Sequence, residues 1–245
     1  MNKKALEQKD HVKYLGVLVD QHLRWDHHIN NVAKKVGRGV GIVAKLKHFL
    51  PPRMLKNVYY CLVYSHISYG IEAWGSASKS SLNKLVVLQK KAIRILSNVN
   101  YFQIYGEESC PGPLPSSETL FKKLEILKLC DIFHLNILNF VYSTLCYDSP
   151  FIFWDWFIYC HSLHNYATTS STNIICNDYF DVGTVDTTYT LRVPRGMLEK
   201  YGRKMVKYSG ARLWNALPSD IQDSTSLATF KEKVKKYYIG QYNTS

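Results

Sequence analysis

The chain has 245 residues, of which 46% are apolar and 20% are charged. That length can bury a large core, and the composition excludes a disordered or collagen-like chain. Lysine and arginine outnumber aspartate and glutamate by 31 to 19, giving a formal net charge of +12. Such an excess favours a phosphate-bearing partner over a small acidic metabolite.

The positive charge is concentrated at the two ends of the chain. Residues 1–100 have 17 basic and 5 acidic side chains, residues 101–190 have 3 and 10, and residues 191–245 have 11 and 4. Two interpretations are open for the basic blocks. They form a nucleic-acid-binding surface, or they are solvated lysine-rich faces.

The N-terminal part predicts a short strand followed by a helix. Residues 11–20 are rich in β-branched and aromatic side chains, and Gly16 indicates a bulge or a close backbone approach within the strand. Asp26 is predicted to cap a helix whose apolar residues recur at spacings of three and four up to Leu50. Three glycines are expected to weaken this helix. Their cost would be tolerated if another segment packs closely against them. They are Gly37, Gly39 and Gly41.

Two more helices are predicted before residue 105. One runs from Pro52 to Tyr69, with proline at its start and glycine after its end. A second is capped by Ser81 and carries apolar residues to Leu96. The predicted apolar face of the first consists of Leu55, Tyr59, Leu62, His66 and Tyr69, joined by Val58 and Val63.

The second half predicts a linker and further helices. Gly- and Pro-rich residues 106–117 indicate the linker, and an apolar helix follows from 118 to 147. Residues 150–200 are aromatic and then polar, which is typical of irregular structure. Two helices are predicted near the C-terminus, at 204–215 and 227–238.

Basic side chains on the first and third helices are the candidate binding residues, because the apolar faces of these helices must pack inward. Outward cations can follow a phosphate backbone. The candidates are Lys34, Lys35, Arg38, Lys45, Lys47, Lys84, Lys90, Lys91 and Arg94. Tyrosines of the second helix could stack on bases, but their helical spacing favours the core.

No catalytic or metal site is predicted. Asp20 and Asp26 are the carboxylates that could approach each other around a turn, but turn and cap positions are the favoured interpretation. Cysteine and histidine ligands near residue 160 lack the spacing of a structural zinc site, and His27-His28 is expected to be a surface pair. The zinc-capable residues are Cys160, His161, His164 and Cys176.

The N-terminus shows no signal peptide, so an intracellular protein with free thiols is expected. Residues 129–147 contain Asp131 and His134, so they would be a poor membrane span. We expect no cofactor and no membrane partner.

Several segments resemble reverse transcriptases of non-LTR (LINE-type, jockey-like) retrotransposons. Lys13–Asp20 is similar to the family's K-Y-L-G-x-x-x-D element, and Leu23–Ile29 to its L-x-W-x-x-H-I element. Further similar segments are Leu62–Gly70 with Trp74, Leu88–Ile95, Leu124–Leu129, Gly210–Pro218 and Phe230–Lys235. His164–Thr168 is similar to an H-x-Y-x-T-R element in which Thr169 replaces the arginine.

The resemblance implies a mainly α fold: a helical, thumb-like bundle with a short N-terminal β strand or hairpin, and a helical C-terminal region. Residues 1–25 would be the end of the palm, 26–105 a basic thumb-like domain, 106–117 a linker and 118–245 the C-terminal region. Tyr14, Leu15 and Gly16 would lie near a primer grip. The family's F/Y-A-D-D carboxylates have no counterpart, so a non-catalytic fragment is expected.

The resemblance also implies the partners, which are RNA, an RNA–DNA hybrid or a DNA duplex, bound without sequence specificity. A full-length polymerase is a further candidate partner. Two alternatives remain open: a helical protein-interaction module or inert remnant with an incidental basic surface, and an independent hydrolase that uses Cys160 or His164.

Overall fold

The computed structural model describes residues 10–105, 116–160, 190–194 and 205–242. These residues are mainly helical, and the short antiparallel sheet lies at their N-terminal end, as the predicted fold class requires. They form two compact units. The first contains the described residues up to Cys130 together with Tyr242, and the second those from Asp131 to Gln241.

A β-hairpin forms the start of the first unit. Strand β1 (His11–Tyr14) pairs antiparallel with β2 (Val17–Asp20), so that His11 lies opposite Asp20. Leu15 and Gly16 connect them with φ of 44° and 85°. Two central residues with positive φ match the twist of a tight hairpin. The hairpin, one of the two forms that the predicted fold class allowed, is therefore confirmed, whereas a bulge within a single strand is wrong because Gly16 lies in a turn.

Helix α1 (Asp26–Leu46) has the predicted buried face. Its buried apolar residues are Ile29, Val32, Val36, Val40 and Val43. The predicted cap is wrong: Asp26 is the first helical residue, and Trp25 precedes it with φ of 67°. The carboxylate of Asp20 instead accepts hydrogen bonds from three backbone amides of the loop. The distances are 3.0 Å from the amide nitrogen of His22, 3.0 Å from that of Arg24 and 2.8 Å from that of Trp25.

The next helical run contains a wider turn. Helix α2 (Pro52–Tyr59) continues into a π-helical turn at Tyr60–Tyr64 and then into α3 (Ser65–Ser68). The backbone hydrogen bonds of the π-helical turn join residue i to residue i+5. Across this wider turn, residues that are four positions apart remain on one face of the helical run. The buried row is Leu55, Tyr59, Val63, Ile67 and Ile71. Val63 is buried, which confirms its place on the predicted face. Leu62 and His66 are half-buried and Tyr69 is exposed, so the predicted face is wrong at these three residues.

Close helix packing explains one of the three glycines in α1. A Cβ at Gly39 would lie 2.6 Å from the carbonyl oxygen of Leu62, whereas nothing lies within 4 Å of such an atom at Gly37 or Gly41. The helical run after Pro52 therefore approaches α1 as closely as backbone allows at Gly39.

A short helix α4 (Ile71–Trp74) precedes α5 (Lys79–Tyr105). The hydroxyl of Ser78 accepts the amide of Ser81 at 3.2 Å, so Ser78 caps α5 and the predicted cap at Ser81 is wrong. Helices α6 (Ser117–Leu124) and α7 (Leu129–Leu145) follow.

The predicted helix over 118–147 is broken between α6 and α7. Glu125 adopts a left-handed conformation with φ of 54°, and neither glycine nor proline marks the break. The buried Gln89 side chain spans it. Its amide nitrogen donates to the Leu127 carbonyl at 2.9 Å, and its oxygen accepts the Leu129 amide at 2.9 Å.

The second unit packs helices around aromatic side chains. A 3₁₀ helix covers Phe151–Trp156, and Tyr159 forms an isolated antiparallel bridge with Leu191. Helices α8 (Val206–Asn215), α9 (Ser219–Gln222) and α10 (Leu227–Gly240) follow, and the two longer ones confirm the predicted C-terminal helices.

Asn215 holds the backbone beside the isolated bridge in the second unit. Its side-chain oxygen accepts the Leu191 amide at 2.8 Å and its nitrogen donates to the Leu191 carbonyl at 2.9 Å. The tryptophan and asparagine of the Gly210–Pro218 segment therefore have structural roles, since Trp214 is fully buried.

No helix among the described residues is long and apolar enough to cross a membrane. Most of the predicted linker, and the segment that contains His161, His164 and Cys176, lie outside the described residues. Ser117, its last residue, is the first residue of α6.

Candidate nucleic-acid interface

Helices α1 and α5 lie side by side and run in the same direction. Near their N-terminal ends, the Ser81 hydroxyl donates to the Asp26 carboxylate. One turn further along, the Lys84 ammonium donates to the Asn30 side-chain oxygen at 2.7 Å. The paired residues are 55 and 54 positions apart, so the register is maintained and the helices are parallel.

In this register, helical periodicity predicts that three of the candidate cations lie on one side of the helix pair. Lys34 lies about one turn after Asn30 on α1, and Lys91 lies about two turns after Lys84 on α5, so both stay close to the flank where Asn30 meets Lys84. Gly37 occupies the position on α1 opposite Lys91. We call Lys34, Lys84 and Lys91 the seam lysines.

The seam has open space on its α1 side. Lys34, Lys84 and Lys91 are exposed, and no atom lies within 4 Å of a Cβ built at Gly37. Over the seven residues from Lys84 to Lys91, the axial rise is about 10 Å. The proposed seam therefore has three positive charges over that length beside Gly37, which has no side chain.

The other six candidates differ in position along and around the two helices. Arg38 and Lys45 follow Lys34 along α1 by about one and three turns. Lys35 lies near His28, whose pKa is lowered by burial and, less strongly, by Lys35. Lys90 and Arg94 turn away from the seam on α5, and Lys47 is half-buried after α1 ends. Of the predicted set, Lys84 contacts the other helix through Asn30.

The predicted primer-grip residues form the tip of the hairpin. Tyr14 and Leu15 are 68% and 73% exposed. The Tyr69 hydroxyl donates to the Leu15 carbonyl at 2.6 Å, and a Cβ on Gly16 would lie 3.5 Å from the Tyr69 ring. Tyr69 therefore holds the backbone of the hairpin tip, while the side chains of Tyr14 and Leu15 stay accessible to a partner.

His28 is a structural residue that the sequence did not reveal. It is 2% exposed, so the predicted surface pair is wrong for this histidine, although His27 is exposed. Its Nδ1 accepts the Leu18 amide at 3.2 Å and its ring packs against Trp74. Burial, with a smaller effect of Lys35, holds the pKa of His28 below its usual value.

The tyrosines of the second helical run do not form a base-stacking row. Tyr59 is fully buried, where its hydroxyl accepts a hydrogen bond from the Gln89 side chain at 3.1 Å. Tyr60 and Tyr64 are half-buried and pack edge to face. Burial raises the pKa of all three tyrosines. Tyr69, the fourth tyrosine of this run, is 57% exposed, and its hydroxyl donates to the Leu15 carbonyl.

The carboxylates that were weighed as metal ligands have other partners. Burial alone would raise the pKa of Asp20, but the three backbone amides that donate to its carboxylate hold that pKa below the usual value. Asp26 accepts the Ser81 hydroxyl. On α7, side-chain ligand atoms of Cys130, Asp131 and His134 lie within 4.8 Å of one another, a grouping that the sequence analysis did not identify.

The nucleophile of the enzyme alternative is poorly placed for catalysis. Cys160 is buried, and burial raises the pKa of its thiol against a smaller opposing effect of Arg192. A thiol with a raised pKa is a weak source of thiolate.

Curated relatives match part of the chain. The Drosophila melanogaster "RNA-directed DNA polymerase from mobile element jockey" is 29% identical over 106 residues, which are 42% of this chain and 12% of that protein. "Probable RNA-directed DNA polymerase from transposon BS" of the same species is 30% identical over 100 residues, or 40% and 11%. The jockey polymerase of Drosophila funebris is 28% identical over 121 residues, or 47% and 13%.

The matches span about an eighth of the length of these relatives. No protein-family model matches the chain, and no solved structure matches it. The resemblance seen in the sequence motifs is nevertheless confirmed: over about two fifths of its length, this chain is homologous to the RNA-directed DNA polymerases of jockey-like and other non-LTR retrotransposons.

Proposed function

We propose that this chain binds the backbone of an RNA–DNA hybrid, or of an RNA or DNA duplex, without sequence specificity, in the manner of a polymerase thumb. The single observation that carries the proposal is the parallel pairing of α1 and α5, from which helical periodicity predicts that Lys34, Lys84 and Lys91 lie along one seam. The homologues have names that specify polymerisation on RNA, so a nucleic-acid duplex is the partner that fits both observations.

Backbone recognition suits the chemistry of the seam. Lysine ammonium groups act as point charges, which bind phosphates without reading bases. Between residues 27 and 71 there are seven lysines or arginines and no aspartate or glutamate, so no carboxylate from that stretch opposes a phosphate.

We propose further that these 245 residues bind a duplex without extending a primer. Two-metal phosphoryl transfer needs carboxylates gathered on a pair of divalent ions. In the first unit, Asp20 and Asp26 are the carboxylates that were weighed as metal ligands, and both accept hydrogen bonds from the protein itself. A primer-extension assay with Mg²⁺ tests this part, and incorporation of nucleotides would contradict it.

Charge reversal at the seam tests the binding proposal. The variant Lys34→Glu/Lys84→Glu/Lys91→Glu is compared with Lys207→Glu/Lys231→Glu/Lys235→Glu, which changes net charge equally on α8 and α10. Affinity for a fluorescent hybrid is measured by anisotropy across a salt series. In the seam variant only, the slope of log K against log salt should flatten by about 0.9 for each phosphate that is no longer neutralised.

Equal reductions in the two variants would mean that overall charge, and not the seam, attracts the hybrid. The helical interaction module would then become the better explanation, because the position of the lysines would have no effect. Circular dichroism of both variants verifies that each remains folded.

A further inference from the structure

The turn between α1 and α2 presents one almost fully exposed aromatic side chain. Phe49 is 82% exposed, and Met54 and Ile42 beside this turn in sequence are 55% and 42% exposed. Lys45, Lys47 and Arg53 lie within four residues of Phe49 along the chain. We call the segment from Lys45 to Met54 the basic corner.

The backbone of the basic corner is fixed on both sides. The amides of Phe49 and Leu50 both donate to the Leu46 carbonyl at 3.0 Å. Pro51 then precedes α2 and Pro52 is its first residue, so two restricted φ angles follow Phe49. The aromatic ring is therefore held out on a short, stiff turn and not on a long loop.

We propose that Phe49 is an apolar wedge that inserts between stacked base pairs of the bound duplex, while Lys45, Lys47 and Arg53 contact the flanking phosphates. This inference rests on the proposed function and adds a contact mode to it. Proteins that bind the minor groove of DNA insert phenylalanine or methionine side chains between base steps, and contacts of basic side chains with phosphates fix their register on the duplex.

The charge around Phe49 favours a nucleic acid over other occupants. The chain carries no acidic residue from 27 to 71, so the corner complements a polyanion. A membrane surface would need a continuous apolar helix face, but the apolar face of α1 is buried in the core. A single ring among cations fits one base step.

A matched control exists on the same chain. Phe151 is 80% exposed, close to the value for Phe49, but Asp148 and Asp155 are the charged residues nearest to it in sequence. Removing this ring deletes the same apolar area in an acidic setting, where a phosphate backbone is repelled.

The test uses the full chain and an RNA–DNA hybrid that carries 2-aminopurine, whose emission rises when its base is unstacked. The wild-type protein should raise the emission. Phe49→Ala should abolish the rise and weaken binding by about tenfold or more, as expected when one base–aromatic interaction is removed. Its salt slope should stay unchanged because no ion is released by an apolar contact. Phe49→Trp should restore both readouts, and Phe151→Ala should match wild type.

Three results would overturn the wedge. Wild-type affinity and emission in Phe49→Ala would refute it while leaving the backbone contact intact. Loss of binding to phosphatidylserine vesicles in Phe49→Ala, with hybrid binding unchanged, would assign the corner to a membrane surface. No hybrid binding by the wild-type protein at low salt would refute the proposed function together with the wedge. An unchanged melting temperature for Phe49→Ala verifies that this exposed residue does not support the fold.

Discussion

His28 and Asp20 fix the hairpin and the loop after it by accepting backbone amides. The imidazole accepts from Leu18, and the carboxylate accepts from three residues of the loop in which Leu23 and Trp25 have positive φ. Both side chains were candidates for surface or metal chemistry in the sequence. Their structural role depends on contacts between the hairpin, its loop and α1, which local patterns do not reveal.

Acid should weaken the first unit through His28. Its folded-state pKa lies below the ordinary value of 6.5, so the unfolded chain takes up a proton first as pH falls. The contribution of neutral His28 to the free energy of unfolding should therefore be fully present above about pH 6.5. Below that pH the free energy of unfolding should decrease, by at most about 1.4 kcal/mol per pH unit from this residue. Protonation of Nδ1 would also place a proton against the Leu18 amide.

Urea unfolding between pH 7.5 and 5 measures this decrease. His28→Gln should have a shallower dependence on pH, whereas His27→Gln, at the exposed neighbouring position, should follow wild type. His134, whose pKa burial also lowers, contributes the same slope to all three proteins. Parallel curves for His28→Gln and wild type would show that His28 does not carry the effect.

Glycine substitutions in α1 should separate close packing from helix propensity. Gly39→Ala places a Cβ 2.6 Å from a backbone carbonyl, so the helices must move apart, at a cost of about 1–3 kcal/mol. Gly37→Ala and Gly41→Ala meet open space and should stabilise the protein by about 0.5–1 kcal/mol. Urea unfolding of the three variants gives the signs, and stabilisation by Gly39→Ala would contradict the close approach.

At the scale of elements, periodicity predicted the helices better than their ends and joints. The buried face of α1 and the two C-terminal helices follow the apolar spacing. The π-helical turn and the break at Glu125 do not, because neither glycine nor proline marks them. At the break, the deciding group is Gln89, which lies on α5 and is distant in sequence.

Gln89 should be essential for the joint between α6 and α7. Gln89→Leu leaves the Leu127 carbonyl and the Leu129 amide without their side-chain partner in a buried position, and each such group costs about 1–3 kcal/mol. Tyr59→Phe removes only the bond between Tyr59 and Gln89 and should cost about 1 kcal/mol. Urea unfolding compares the two, and hydrogen exchange at Leu129 locates the weakened region.

A small effect of Gln89→Leu, equal to that of Tyr59→Phe, would mean that water or a rearranged backbone satisfies the joint. Gln89 would then not determine the break, although the helices on either side of it would be unaffected.

For the whole molecule, the sequence predicted the helical class, the family resemblance and the basic character of α1 and α5. It did not predict the register of α1 against α5. Lys34 and Lys84 are separated by 50 residues, and the proposed seam depends on the parallel register of the two helices. Periodicity places each lysine on its own helix, whereas the seam depends on the direction and register of a neighbour.

The salt dependence of binding tests the central claim most directly. Anisotropy of the unaltered chain with a labelled RNA–DNA hybrid should give a log K that falls linearly with log salt. A slope of about −3 or steeper is expected if each seam lysine neutralises one phosphate. Binding that does not change with salt, or no binding by the folded protein at low salt, would contradict the claim that this surface contacts a nucleic-acid backbone.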